Sequence, residues 1–283
     1  MGGKALILQP GTEPYPGYVL RQFLGKGGWG EVWKAERSDG QISALKFMAC
    51  ESALAAPYEV RALQAIRQLK HDHLLQMEQI WSCPGYLVIV MELAEGNLHD
   101  LLDVYFTELN TPIMPDHVCY FLRQAADALD FLNTRQHVVE SQKVAFRHCD
   151  VKPSNLLLVN GKVRVGDFSL AFKTTSRVGP HARTGTMHYA APEVFTGMVS
   201  DRSDQFSLAV SYFQLRTGRL PFPSPPARFD SNYHRPAPEL SALLPDEQRI
   251  LARGLAPIPQ DRWPSCTEMM DNLSRCFAKK SVA

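Results

Sequence analysis

Asp150, Lys152, Asn155 and Asp167 are the side chains in this 283-residue chain whose types and spacing suit group-transfer chemistry. In Asp150-Val151-Lys152-Pro153-Ser154-Asn155 a carboxylate precedes an ammonium and then an amide, and Asp167-Phe168-Ser169 follows a dozen residues later. Phosphoryl transfer needs such a set. One carboxylate orients the attacking hydroxyl and accepts its proton, while a second carboxylate and an amide oxygen hold Mg²⁺ on the phosphates. An ammonium beside the first carboxylate offsets charge on the transferring phosphoryl. The plain alternative is a turn, because Pro153 rigidifies a loop and Asn155 caps one. Matching pieces in order along the rest of the chain weigh against it.

The elements that must position this set begin upstream. Leu24-Gly25-Lys26-Gly27-Gly28-Trp29-Gly30-Glu31-Val32 fits G-x-G-x-x-G-x-V, a weak signal by itself. Its flanks, 18–24 and 31–36, read as short apolar strands. The glycines therefore join strand to strand, whereas a dinucleotide fingerprint opens into a helix. A hairpin tip of bare backbone can close over a triphosphate and donate N–H groups to it. Ser43-Ala44-Leu45-Lys46-Phe47 reads as a strand with one lysine, ordinarily an edge residue. A helix is expected over 56–69, with Glu59 in it and Val60, Leu63 and Ile66 at helical spacing. Residues 86–91 are continuously apolar, as a buried strand should be, and Glu92-Leu93-Ala94-Glu95-Gly96 breaks the pattern. Over 118–132 the apolar period predicts the clearest helix of the chain.

With these pieces in sequence, the chain resembles the protein kinase superfamily over about Tyr18 to Phe277. The glycine loop, Lys46, Glu59, His148-Cys149-Asp150 to Asn155, Asp167 and Ala191-Pro192-Glu193 match its signature set in order. Residues 203–209 and 215–222 are similar to the bacterial eukaryotic-like Ser/Thr kinases. The resemblance implies an α+β, bilobal protein-kinase-like fold. A small N-lobe (18–91) has an antiparallel sheet plus one helix, a hinge spans 92–97, and a large, mainly helical C-lobe covers 98–279. Tails are left at 1–17 and 280–283.

It also implies ATP and Mg²⁺ as cofactors. Asp150 would orient the acceptor hydroxyl, with Lys152 and Thr186 beside it, and Asn155 and Asp167 would bind Mg²⁺. The phosphates and base would be held by Leu24, Gly25, Lys26, Gly27, Gly28, Trp29, Gly30, Val32, Ala44, Lys46 (paired with Glu59), Met91, Glu92, Ala94 and Leu157. Met77, Leu63, Phe168 and His148 fall where the family stacks an internal column. Glu193 with Arg262 falls at a structural ion pair, and Asp204 where the catalytic loop is anchored. Lys152 after Asp150 is the Ser/Thr pattern, so the expected partner is a protein substrate with a Ser or Thr acceptor. Ser154 stands where kinases that favour basic substrates often carry Glu. A nucleotide-binding pseudokinase is the alternative from another class, and a small-molecule kinase a third reading.

Three departures from the family stand out. Cys149 replaces the arginine that pairs with a loop phosphate, and a thiol cannot make that charge-assisted contact. Lys173, Arg177, His181 and Arg183 remain as other cations. Ser169 replaces a glycine whose backbone freedom serine lacks. The stretch 134–146 is longer than the family minimum and is expected to form an extra hairpin or loop. The proline-rich 221–238 reads as a surface loop.

Composition sets outer bounds. The 30 basic and 29 acidic residues leave a net charge of +1, which argues against a broad nucleic-acid footprint. No apolar run approaches a membrane span. Six cysteines without a C-x-x-C pair suit a reducing compartment, so a cytoplasmic location is expected. No sensor domain is evident, which leaves an unknown upstream regulator or the chain's own loop to carry a signal.

Overall fold

The computed structural model describes residues 6–28, 30–49, 56–175, 178–180, 185–226 and 233–278. Trp29, Ser176, Arg177, His181, Arg183 and Thr184 lie outside the described residues, as does the side chain of Glu59. The chain divides into two compact units. One takes in the residues up to Lys70 together with Leu75–Glu95; the other takes in His71–Leu74 and the residues from Gly96 onward.

The first unit is a five-stranded antiparallel sheet with one helix. Its strands are β1 (Tyr18–Gly27), β2 (Gly30–Arg37) and β3 (Ile42–Ala49); then come helix α1 (Ala56–Arg67), β4 (Met77–Cys83) and β5 (Tyr86–Glu92). The order across the sheet is β1-β2-β3-β5-β4. Helix α1 stops two residues short of the expected 56–69. Strand periodicity sorts the side chains between faces. Tyr18, Leu20, Trp33, Ala35, Leu45, Phe47, Val88 and Val90 form one buried cluster. Their neighbours Val32, Ala44, Lys46, Ile89 and Met91 alternate with them and so share the other face. Pairing aligns Val32 with Lys46, Lys46 with Ile89, and Ala44 with Met91. Residues ahead of β1 are fastened to it: Gly11 N donates to the Leu20 carbonyl at 2.8 Å, Leu20 N returns a bond to Thr12, and the Tyr15 ring stacks on Trp81.

The second unit opens with β6 (Gly96–Asn97) and α2 (Leu98–Asp103), whose start is fixed by a capping box between Asn97 and Asp100. Helix α3 (Pro115–Asn133) has proline at its first position, where no N–H is needed. Four short strands follow: β7 (His137–Val139), β8 (Gln142–Arg147), β9 (Leu156–Val159) and β10 (Lys162–Val165). Next come β11 (Phe172–Thr174), β12 (Val178–Pro180) and β13 (Met198–Ser200), then helices α4 (Ser203–Thr217), α5 (Pro245–Gly254) and α6 (Cys266–Ala278). The extra stretch before the catalytic loop is thus a hairpin, β7–β8, and β8 also pairs with β11. His71–Leu74 belongs here because Val165 N donates to the His73 carbonyl and the His73 ring meets the Val163 carbonyl.

Helix α4 is buried nearly all round, polar residues included. A helix apolar on one stripe covers a core; one buried on every side is the core. Its serines, Asp204 and Gln205 are tolerated because each is hydrogen-bonded. Gln205, for example, both donates to the Trp263 carbonyl and accepts from Trp263 N at 3.0 Å. No α-helix or strand occurs among the described residues of 221–238.

In the β1–β2 hairpin only Gly30 is sterically required. Its φ is +137°, and a Cβ there would lie 2.1 Å from the Phe47 carbonyl oxygen. Nothing lies within 4 Å of a Cβ at Gly25, Gly27 or Gly28. Gly30→Ala is expected to lower the stability of the first unit by about 2 kcal/mol, and Gly27→Ala by less than about 0.5 kcal/mol. Urea unfolding followed by tryptophan fluorescence measures both, and equal costs would contradict the assignment.

Candidate active site

The site in the second unit is built outward from Asp204. This residue is buried in the first turn of α4, and its carboxylate accepts the backbone N–H of His148 and of Cys149, each at 2.9 Å. Cys149 has φ +66°, a left-handed conformation that costs a non-glycine residue about 1 kcal/mol. The two charge-assisted bonds offset that cost and set the direction in which the chain delivers Asp150. The His148 ring meets the Gly166 carbonyl at 2.8 Å and packs edge-on against Phe168. In this way the loop before Asp150 is tied to the loop holding Asp167.

Asp150 is 5% exposed and receives donors on both carboxylate oxygens. Lys152 Nζ lies 2.8 Å from Oδ2 and donates to Thr186 Oγ1 at 2.6 Å. Thr186 in turn donates its hydroxyl and its N–H to Oδ1, both at 2.8 Å. Asn155 Nδ2 donates to Oδ2 at 3.0 Å and to the Asp150 carbonyl at 2.7 Å. Burial pushes the Asp150 carboxyl up, but Lys152 and Thr186 outweigh it and hold the pKa below the ordinary aspartate range. Asp150 is therefore a carboxylate at neutral pH. Asp150, Lys152, Asn155 and Thr186, picked out from two separate segments, come together in one cluster.

Asp167 carries the left-handed turn of its segment, with φ +59°. Ser169, which stands where the family has glycine, sits in a right-handed 3₁₀ turn, and its hydroxyl donates to Asp167 Oδ1 at 2.7 Å. The serine adds a donor to the carboxylate and carries no unusual φ. Asn155 spends its N–H donors on Asp150, which leaves its side-chain oxygen for another partner. That oxygen and the Asp167 carboxylate form a hard, all-oxygen donor pair. Mg²⁺ takes one or two such protein groups and completes its shell with phosphate and water oxygens, so the donor set fits it. Among the described residues no cluster of three or more His, Cys, Asp or Glu forms a metal cage.

The remaining candidates lie in the first unit, except Leu157 on β9. Lys46 is buried on β3, on the same face as Val32, Ala44 and Met91. Lys26 is not free at the hairpin tip: its Nζ pairs with Glu31 Oε1 at 2.9 Å. Glu92 accepts Gln76 N at 2.8 Å, and Ala94 follows the end of β5. Helix α1 carries position 59. Leu63 and Met77 are buried in this unit.

The segment 185–193 is braced at several points. Tyr189 Oη donates to Gln214, Ser207 Oγ to the Tyr189 carbonyl, and Glu193 forms a two-point pair with Arg262 at 2.7 and 2.9 Å. Burial raises the Glu193 carboxyl, and Arg262 with Ser203 brings it below the usual range. Sequence reading assigned no role to Gly185. A Cβ there would lie 2.2 Å from the Cys149 carbonyl oxygen and 2.9 Å from Asp150 Oδ1. The one available signal was a glycine directly preceding a candidate threonine.

A protein kinase domain profile matches residues 18–274. Among similar proteins are the serine/threonine-protein kinase PknF of Mycobacterium tuberculosis, 28% identical over 90% of this chain and 55% of its own, and PknH of Mycobacterium bovis, 29% identical over 89% and 42%. CBL-interacting protein kinase 4 of Oryza sativa subsp. japonica is 32% identical over 88% and 56%. The chain spans about half the length of these curated relatives.

Gly185→Ala is expected to displace Thr186 from Asp150, lowering turnover about 100-fold. Asp150 then loses two donors to its charged form, so its pKa rises and the acid limb of the pH–rate profile moves to higher pH. Steady-state rates across pH, with thermal melts to monitor folding, test this; an unmoved acid limb would sink the explanation.

Proposed function

The chain belongs to the protein kinase domain family, and from that premise we propose that it is a serine/threonine protein kinase acting on protein hydroxyls with ATP. The observation that carries this reading is the closed set of hydrogen bonds joining Asp150, Lys152 and Thr186, with Asn155 bonded to the same carboxylate. Asp150, held ionised, accepts the proton of the acceptor hydroxyl and orients its oxygen. Lys152 bridges Asp150 and Thr186, and its ammonium faces charge on the transferring group. Asn155 and Asp167 are the groups that would hold Mg²⁺, which when bound neutralises charge on the phosphate oxygens. Lys46 and the bare backbone of 25–30 are the proposed phosphate contacts, with Val32, Ala44, Met91 and Leu157 against the base. Thr186 and the braced segment around it supply a peptide-facing surface, which suits protein over metabolite substrates.

Free thiols at Cys83, Cys119, Cys149, Cys266 and Cys276 fit a cytoplasmic location. Among the described residues no helix is long and apolar enough to cross a membrane. The upstream regulator is a further protein or the chain's own loop.

Regulation follows from Cys149. Burial, with Asp204 and Asp150 nearby, pushes its thiol well above the ordinary range, so it stays neutral and offers a phosphate nothing. The described cations near the start of the loop are already engaged. Lys173 pairs with Glu140 at 2.9 Å, Arg135 donates to the Thr175 carbonyl, and Arg147 donates to Asn133. A loop phosphate therefore has little leverage on Asp150.

Asp150→Asn and Asp167→Asn should each reduce phosphoryl transfer at least about 100-fold. The first should leave ATP affinity nearly intact, whereas the second should weaken Mg²⁺-dependent ATP binding too. Labelled-ATP transfer to a generic protein acceptor, with nucleotide binding measured alongside, checks both; binding without transfer by the wild type would point to a pseudokinase. The quadruple change of Thr174, Thr175, Ser176 and Thr184 to Ala should lower turnover less than tenfold, or about 1.4 kcal/mol of barrier. A hundredfold gap between phosphatase-treated and autophosphorylated samples would overturn the regulatory reading.

A further inference from the structure

Three of the buried guanidinium groups in the second unit are met by acceptors. Arg262 has Glu193 at 2.7 Å, Arg216 has Glu247 at 3.1 Å, and Arg147 is bonded to the Asn133 side chain and carbonyl. Arg235 differs. It lies within the proline-rich 221–238 and meets the segment that carries Thr186. Its guanidinium carbon lies 4.6 Å from the ring centre of Phe222, 5.1 Å from Phe195 and 5.8 Å from Phe206. Nη2 donates to the Met187 carbonyl. Among the described residues Nε and Nη1, both shielded from water, meet no acceptor, and no carboxylate pairs with the group. Burial brings its pKa down to about 10, so it remains a cation at neutral pH.

Ring faces favour a cation, but they do not replace hydrogen-bond acceptors. A desolvated charge with two idle N–H donors is costly unless an anion completes it. This cation touches Met187, the residue after Thr186, which is itself bonded to Asp150. Building on the protein-kinase reading, we propose that Arg235 is a specificity residue that takes the carboxylate of an Asp or Glu lying within two residues of the acceptor hydroxyl on the protein substrate. The carboxylate replaces the Met187 carbonyl on Nη2 and brings acceptors to the idle donors, inside an aromatic cage where a charge-assisted pair is strong. A planar guanidinium fork suits this pairing better than an ammonium. The absence of a carboxylate at Ser154, where basic residues would be read, agrees with it.

The test uses fluorescent peptides with the acceptor replaced by Ala and with Asp, Ala or Lys scanned through the two positions on either side, so that binding is read without catalysis. In the wild type, Asp at one position should tighten Kd about tenfold over Ala, and Lys should weaken it. That gain should fall below about twofold in Arg235→Met, which fills the cage without charge, and be partly kept in Arg235→Lys. Equal binding of Asp and Ala peptides by the wild type, or an undiminished gain in both variants, overturns the proposal. Should Arg235→Met not fold, the wild-type scan with Arg235→Lys decides alone. The same peptides with Ser restored report transfer. An acid preference in binding without transfer keeps the pocket and removes the kinase reading; transfer without acid preference does the reverse.

Discussion

The bonds from the Asp204 carboxylate to the backbone of His148 and Cys149 are the constraint on which the rest of the site depends. They hold a non-glycine residue left-handed immediately before Asp150, and that conformation directs the Asp150 side chain to Lys152, Asn155 and Thr186. A carboxylate can do this only where it is fixed and sheltered from water, and Asp204 is both, in the first turn of a buried helix. Truncating it would leave two buried N–H groups unpaired and remove the offset to the strained φ.

Helix α4 serves the site through its polar face as much as through its apolar bulk. Ser203 bonds to Glu193, Ser207 to the Tyr189 carbonyl, and Gln214 receives the Tyr189 hydroxyl. These contacts join the segment carrying Thr186 to the helix that also holds the catalytic loop. The buried Glu193–Arg262 pair adds a second attachment, further satisfied by the Arg202 and Ala256 carbonyls. Losing one member of such a pair leaves an uncompensated charge, which costs about 3–5 kcal/mol. The same framework thus serves stability and alignment.

The departures from the family pattern leave the hydrogen bonds around Asp150 in place. Cys149 stands where the family carries arginine, and the β7–β8 hairpin brings Glu140 to Lys173 and lies against β11. Ser169 donates a hydroxyl to Asp167 where glycine could donate only its backbone.

Local order in the sequence determined much of the fold and the list of candidate site residues. Strand alternation put Lys46 and Ala44 on the face opposite Leu45 and Phe47, because successive side chains of a strand point to opposite faces, and the pairing register set Val32 and Met91 beside them. The spacing of Asp150, Lys152 and Asn155 marked the candidate catalytic loop, and the apolar period identified α3. Tertiary structure decided what lies far apart in the chain. It placed left-handed conformations at Cys149 and Asp167, since backbone angle follows from which distant groups bind the peptide and not from residue type alone. It made Gly185 indispensable through one close approach to the Cys149 carbonyl. It also joined Arg235 to Phe195, Phe206 and Phe222, a cation and three rings with no common period along the sequence and brought together only by the packing around α4.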